Sequence, residues 1–439
     1  MMIKVGMVSL GCPKNQIDAE HLLSDISRNS RFKIVNNPDI ADVVIINTCA
    51  FIESAKQEAI NTILEFAEKK KENLKSIIVT GCLAQRYKNE ILEQIPEVDA
   101  VLGLGSNQNL QNAIIDSLQG KKIAKFGVIE SLCLDHDRIL TTPSHYAYLK
   151  IAEGCDNHCT YCAIPKIRGK YRSRTIESIL KEAKWLEQKG IKELILVAQD
   201  TTYYGFDIYG KYALSDLLQQ ISKLNFKWIR FLYAYPEKID EKLLTVIKEN
   251  DNILPYLDLP IQHINNDILK KMNRKTTKQQ ILDKIKLIKS ILPNAILRTT
   301  LIVGFPGETE NQFNELVEFV KTSDFNRIGC FPYSQEEETA AALLPNQIPS
   351  DVKEKRAETI MMETELLLEK HCQSTINKNI EVIIDYFEND YYVGRTTADA
   401  PDIDCCVYIS SNCKLNAGDI VKVKIYKTEY GNLFGEYTK

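Results

Sequence analysis

Three apolar runs near the amino terminus, KVGMVSLGC, DVVIINTC and SIIVTGC, each end on a cysteine, at Cys12, Cys49 and Cys82. Each has the length and bulk of a buried strand. Between the first two, Ala19, Leu22, Leu23 and Ile26 recur at i, i+3, i+4 and i+7, the period of an amphipathic helix. Strand, helix, strand, helix, strand predicts a doubly wound parallel sheet, and in such sheets ligands gather outside the carboxyl ends of the strands. The three thiols should therefore meet at one edge.

This first domain is expected over 1–128, with ESLCLDHDRILTTPSHY, which has no period, as a linker over 129–145. Six further apolar runs follow: YAYLKIAEGC, ELILVAQD, WIRFLYAYP, YLDLPIQH, ILRTTLIVGF and NRIGCFPYS. They alternate with amphipathic helices, such as the one carrying Ile176, Ile179, Leu180 and Ala183 on one face with Gly190 as its stop. Six strand-helix units over 146–350 predict a partial (β/α)6 barrel with its working loops at the carboxyl ends of the strands. A single long helix is predicted over 351–375. Over 376–439, NIEVIIDYF, YYVGRT, CCVYIS, DIVKVKIYKTE and NLFGEYTK read as short alternating strands of a small closed β-barrel, a module suited to binding macromolecules. The fold class is α/β.

A chain of 439 residues is long enough for two to three domains. Its formal charge of -4 with 26% charged residues gives no global bias toward nucleic acid. No run approaches the roughly 20 apolar residues that cross a bilayer. MMIKVGMVSLGCPKN leads straight into a strand instead of a signal peptide, so a cytoplasmic protein without a membrane partner is expected. Twelve cysteines in a reducing compartment then point to metal chemistry over disulfides.

The sharpest group is Cys155, Cys159 and Cys162 in EGCDNHCTYCAIP, a C-x3-C-x2-C run. Three thiolates cannot saturate a four-iron cube, so one iron stays open to bind and reduce a ligand. Cys12, Cys49 and Cys82 make a second set of three. A single strand-end cysteine is more often core than ligand; three at equivalent positions of one sheet, and three in one short loop, are harder to explain that way. Structural zinc takes four ligands, and no fourth cysteine lies near either set. Cys133, Cys330, Cys372, Cys405, Cys406 and Cys413 share no spacing and read as core or incidental thiols.

Along essentially its whole length the chain resembles the methylthiotransferases, a family of radical S-adenosylmethionine (SAM) enzymes. Their order is a three-cysteine amino-terminal domain, a partial barrel and a carboxyl-terminal TRAM domain. Beyond the C-x3-C-x2-C run, the resemblance is carried by SLGCPKNQIDAE around Cys12, LPIQH ending in His263, and GRTTADAPDID from Gly394 to Asp404. These three are similar to the branch acting on an aspartate of a small-subunit ribosomal protein, the twelfth in the usual numbering. The branch acting on adenosine in tRNA (MiaB-like) typically lacks the DAPDID element. Cys405 and Cys406 depart from the pattern, standing where a glycine is common.

The resemblance implies two 4Fe-4S clusters and SAM as cofactors. The cluster of Cys155, Cys159 and Cys162 would chelate SAM, with Tyr161 packing near its adenine. Inserting sulfur at an unactivated carbon means breaking a C-H bond that no side-chain base can deprotonate, so a 5'-deoxyadenosyl radical is required. That radical would take hydrogen from the β-carbon of the target aspartate. The cluster of Cys12, Cys49 and Cys82 would hold the sulfur, methylated by one SAM before transfer consumes a second. The partners implied are ribosomal protein twelve, free or on the ribosome, an electron donor such as flavodoxin or ferredoxin, and a sulfur source.

Gln199 and Asp200 end a barrel strand, Arg174 lies in RGKYRSR just past the cysteine loop, and Arg298 stands before TTLIVGFPGE. Each could bind the ribose or carboxylate of SAM, or equally form a salt bridge or turn. Thr309 and Gln312 have the spacing of a helix capping box, and His263 reads as structural. The final domain carries seven basic against ten acidic side chains, a net of -3. A domain gripping RNA should be basic, whereas an acidic one suits a basic protein. Asp399, Asp402 and Asp404 are therefore expected near a protein substrate. The rival readings are a tRNA methylthiotransferase and a noncatalytic iron-sulfur protein that binds ribosomes; the intact cysteine loop weighs against the second. Anaerobically reconstituted protein is expected to hold about eight irons as two cubes. Replacing Cys155, Cys159 and Cys162 by Ala should remove about half of them and abolish 5'-deoxyadenosine formation from SAM.

Overall fold

The apolar runs form the strands their pattern predicts. β1 (Ile3–Ser9), β3 (Val43–Thr48) and β4 (Ser76–Gly81) belong to a six-stranded parallel sheet with three shorter strands, β2 (Phe32–Ile34), β5 (Ala100–Leu102) and β6 (Ile123–Lys125). The order is β2-β1-β3-β4-β5-β6, so the three cysteine-bearing strands are neighbours. Every residue of β3 and β4 is buried, because the sheet is covered on both faces. Val44, Ile46, Ile77 and Val79 pack on one side, and Val43, Ile45 and Ile78 on the other.

The computed structural model describes residues 2–132, 134–135 and 137–438, which form two compact units. Cys133 lies outside the described residues. The first unit does not follow chain order: to residues 1–141 it adds 152–174 and 334–342. Residues 152–174 are held by Arg168, which pairs with Asp18 at 2.7 Å, and two further attachments hold the rest. Within the segment expected as a linker, Arg138 and Thr141 reach helix α1 (Pro13–Ser27), where the Glu20 carboxylate accepts from Arg138 (3.1 Å) and from the Thr141 amide (2.7 Å) and hydroxyl (2.9 Å). In the third segment, buried Glu336 meets Lys56 of helix α2 (Glu53–Lys69) at 3.1 Å and Arg86 of helix α3 (Cys82–Tyr87) at 2.6 Å.

The second unit holds the six expected strands, Tyr146–Lys150, Glu193–Val197, Trp228–Phe231, Ile253–Asp258, Ile296–Val303 and Arg327–Pro332, in one parallel sheet in that order. Thr309 and Gln312 form the capping box of helix Glu310–Thr322. Just before it, buried Glu308 accepts from the Gly304 amide (2.7 Å), from His263 Nε2 (3.0 Å) and from Arg356 Nη1 (2.6 Å) of the long helix Ser350–Gln373. His263 Nδ1 in turn accepts the Asn265 amide at 2.9 Å, so both ring nitrogens serve the fold. The final five strands close into a barrel. Cys330 and Cys372 are buried and Cys413 exposed.

Buried charge joins this closed barrel to the parallel sheet. Tyr146, Glu193, Trp228 and Arg327 are each the first residue of their strand, and all four face the last domain. Arg395 reaches Glu193 (2.8 Å) and grips Asp385 with two nitrogens (2.8 and 3.0 Å); Arg230 also pairs with Glu193 (3.0 Å). Burial opposes ionisation of Asp385, but His145 and Arg395 together hold its carboxyl below the usual range.

The join corrects two expectations. Asp399 is buried with Arg327 at 2.8 Å, and the Asp404 carboxylate accepts from the Tyr256 hydroxyl at 2.6 Å and the Ala400 amide at 2.9 Å. Only Asp402 of the three is exposed, with Tyr146 donating to it at 3.3 Å. Asp399 and Asp404 hold the domain to the sheet instead of facing a substrate. Setting aside Arg395, Asp385, Asp399 and Asp404, which the join takes up, leaves six basic against seven acidic side chains in the last domain, a net of -1. Charge therefore no longer separates a protein substrate from RNA. Asp399→Ala, which strands Arg327, is expected to cost about 3 kcal/mol and to lower the thermal midpoint without changing the iron content.

Candidate iron-sulfur sites

Strand direction places the first three thiols. Thr48 pairs with Gly81 across β3 and β4, so Cys49 and Cys82 leave the sheet side by side. Ser9 pairs with Asn47, and Cys12, three residues on, returns toward them through a turn at Gly11. Gly11 has φ +90°, and a Cβ there would fall 2.7 Å from Cys49 Cβ and 3.0 Å from its Sγ. Gly81 is equally constrained: at φ +92° its Cβ would lie 2.5 Å from Thr48 O. Both positions favour glycine for conformation and for space.

Two asparagines fasten this edge. The Asn15 amide donates to Leu10 O (2.6 Å) and Thr48 O (3.2 Å), and the Asn47 amide donates to Asn15 O (2.7 Å) and Ser9 Oγ (3.2 Å). The Cys12 loop is thereby tied to the end of β3. Burial pushes the Cys49 thiol up, with Cys12 adding to the rise and the Phe51 amide and Arg168 opposing it. Burial likewise pushes Cys82 up to about 12, against Arg168 and with Cys49 and Cys12. Each thiol feels its neighbours.

The second set lies in the same unit. Cys155 and Cys159 are buried and Cys162 half-buried, on a loop ending in the short helix Ile164–Arg168. The loop is pinned by the Cys155 amide donating to Gly169 O (3.2 Å), the Tyr171 amide to Asp156 Oδ1 (3.0 Å) and the Ala341 amide to Thr160 O (2.9 Å). Asn157 donates to Cys155 Sγ at 3.4 Å. None of the six cysteines of the two sets is in a disulfide. Among the described residues no three His, Cys, Asp or Glu side chains close on one point as around a single ion. A cube asks for less convergence, because each thiolate meets its own iron. Soft donors on a preformed edge and a pinned loop fit such a group.

Arg168 connects the two sets. Its side chain is 2% exposed, and it reaches Asp18 of α1 at 2.7 Å, Glu153 at 3.0 Å, Asn15 Oδ1 at 3.2 Å and Cys82 Sγ at 3.2 Å. Burial works against the guanidinium, yet Cys82, Glu153 and Asp18 hold its pKa well above the ordinary value. Sequence reading missed it. The available signal was a lone arginine within the apolar AIPKIRG segment after the cysteine loop.

Of the residues expected to meet SAM, Tyr161 is a half-buried turn residue between the second and third loop cysteines. Buried Arg174 pairs with Asp135 at 2.8 Å. In the second unit Gln199 is half-buried two residues past its strand, and Asp200 caps the turn Thr201–Tyr203, accepting from the Tyr203 amide (3.1 Å), Thr202 Oγ1 (2.7 Å) and Lys238. Arg298 is taken up by Asp258 at 2.8 Å and stands 3.8 Å from Asp404, which places it at the join to the last domain instead of at an open ligand site.

A family model described as the radical SAM superfamily matches residues 149–320, that of an uncharacterized protein family, UPF0004, matches 4–103, and a TRAM domain model matches 376–437. A protein of Clostridioides difficile (strain 630), named ribosomal protein uS12 methylthiotransferase RimO, is 52% identical over 99% of this chain and 99% of its own. Proteins of the same name from Clostridium novyi (strain NT), at 49% over 98% and 97%, and Thermoanaerobacter sp. (strain X514), at 48% over 99% and 100%, are similarly matched. Among solved structures, the radical SAM methyltransferase TsrM from Kitasatospora setae superposes with TM-score 0.58 at 12% identity over 75% of this chain and 72% of that one. The cobalamin-dependent SAM radical enzyme OxsB gives 0.50 at 14% over 82% and 56%. At such identity these show a shared fold alone. Gly81→Ala, which crowds the edge between Cys49 and Cys82, is expected to lower the iron content toward half while leaving the loop set loaded. Full iron in that variant would mean the edge tolerates the added methyl.

Proposed function

Because this chain belongs to the ribosomal protein uS12 methylthiotransferase (RimO) family, we propose that it inserts a methylthio group at the β-carbon of an aspartate in small-subunit ribosomal protein uS12, using two SAM per product. It is a radical SAM methylthiotransferase whose cofactors are 4Fe-4S clusters and SAM. The observation that carries this reading is the gathering of two three-thiol sets, none of them in a disulfide, into one compact unit, one on a sheet edge and one on a pinned loop.

Cys155, Cys159 and Cys162 would hold one cluster, and Cys12, Cys49 and Cys82 the other. When bound, the first supplies with SAM the one-electron chemistry that an unactivated C-H bond demands, and the second a place for sulfur. The protein's own residues supply position and dryness. Burial of Cys49, Cys82, Cys155 and Cys159 keeps water from the sulfurs, and the raised thiols of Cys49 and Cys82 mean that loading releases protons and is favoured by higher pH. Tyr161, Arg174, Gln199 and Asp200 are the chain's candidates for holding SAM, and exposed Asp402 remains a candidate for the protein substrate. In this reading a low-potential donor such as flavodoxin or ferredoxin supplies electrons, and a separate sulfur source replenishes the sheet-edge site. Among the described residues no helix is long and apolar enough to cross a membrane.

Mass spectrometry of small-subunit proteins from cells with and without this protein tests the function. One methylthio group in place of hydrogen on uS12 is expected only when the protein is present. An unmodified uS12 together with methylthiolated tRNA adenosine would place the chain's activity on tRNA instead.

A further inference from the structure

One buried guanidinium is shared by the two thiol sets. Arg168 ends the short helix that follows the C-x3-C-x2-C loop, yet its Nη2 lies 3.2 Å from Cys82 Sγ on the sheet edge. Its other nitrogen is held by Asp18, on the helix that begins after Cys12, and by Glu153, two residues before Cys155. Asn15 Oδ1, at 3.2 Å, fixes the same nitrogen that faces the sulfur. The fork is thus anchored on segments flanking both sets and cannot swing away from Cys82. No thiol of the loop set is among these partners.

A donor aimed at one ligand sulfur withdraws charge from it and makes the reduced state of that cluster easier to reach. We infer that Arg168 is a positioning residue that raises the reduction potential of the sheet-edge cluster relative to the loop cluster, through its hydrogen bond to the Cys82 sulfur. The two three-cysteine sites are then electronically unequal, and a single side chain contributes to the difference. The inference rests on the two-cluster reading above.

The test uses the full-length chain carrying Cys155→Ala, Cys159→Ala and Cys162→Ala, so that only the sheet-edge cluster remains, with its midpoint potential followed by electron paramagnetic resonance during redox titration. Two substitutions are then added separately. Arg168→Lys keeps the charge but lacks the fork that spans the carboxylates and the sulfur. Arg168→Gln with Asp18→Asn removes a cation and an anion together, so net charge is unchanged while the guanidinium at Cys82, with its pairing to Glu153, is lost. Both are expected to retain iron and to move the midpoint to more negative potential. In chains lacking Cys12, Cys49 and Cys82 instead, the same substitutions should leave the loop cluster's midpoint in place. An unmoved sheet-edge midpoint, equal shifts in both backgrounds, or loss of iron in both Arg168 variants would overturn the inference, the last by showing a merely structural role. A parent triple variant that binds no iron at all would instead overturn the two-cluster reading.

Discussion

Parallel strands all point the same way, and the chemistry of this protein depends on that constraint. Cys12, Cys49 and Cys82 are far apart in sequence, yet each follows a strand of one sheet, so each emerges at the same edge. An antiparallel neighbour would have carried one thiol to the opposite side. Register then brings Cys49 and Cys82 level, and Gly11 and Gly81 remove the side chains that would stand between the segments. Nothing in this arrangement requires the cysteines to attract one another; a hydrophobic sheet buried on both faces places them.

Both units also bury charge, and in both the charges are arranged as networks. Arg168 with Asp18 and Glu153 ties the sheet edge to the cysteine loop, while Glu193 with Arg230 and Arg395 ties the parallel sheet to the closed barrel. Desolvating such groups is expensive, and an apolar replacement is often at least as stable. What a buried ion network adds is directionality: a guanidinium fork accepts carboxylates in few geometries, whereas apolar surfaces slide. The second network also fixes where the last domain attaches, at the amino ends of the barrel strands, leaving the opposite ends of those strands to the loops.

The pattern of the sequence made most of this architecture legible. Long apolar runs at Val43–Thr48, Ser76–Gly81 and Ile296–Val303 have few alternatives, and the alternating strands of Asn379–Glu388 and Ile420–Glu429 mark the final barrel. The six candidate cluster cysteines could be nominated from strand ends and spacing alone. Phe32–Ile34, Ala100–Leu102 and Ile123–Lys125 were not visible, because three residues are too few to show a period. The segment 129–145 reads as a linker because the attachment of Arg138 and Thr141 runs through Glu20, a polar contact more than a hundred positions away. Asp399 and Asp404 misled for the same reason. An acidic run reads as surface until Arg327 and Tyr256 are seen beside it, and Arg168 reads as one cation among many until its partners, up to 153 positions distant, are in place.

The discontinuous make-up of the first unit bears on how the protein is made. Lys56 and Arg86 are both nearly buried in the finished unit, and the carboxylate that meets both of them belongs to Glu336. On a nascent chain Arg86 is made some 250 residues before this counter-charge, whereas Lys56 also meets Glu53 (2.6 Å) within its own helix. Until then the first unit lacks one of its three segments. The cysteine loop at 155–162 joins it first, and Thr160 receives the Ala341 amide only once 334–342 has been made. Long-range contacts of this kind form slowly and late. Completion of the unit therefore waits for the synthesis of 334–342, and a chain interrupted before that segment would lack the Glu336 contacts to Lys56 and Arg86.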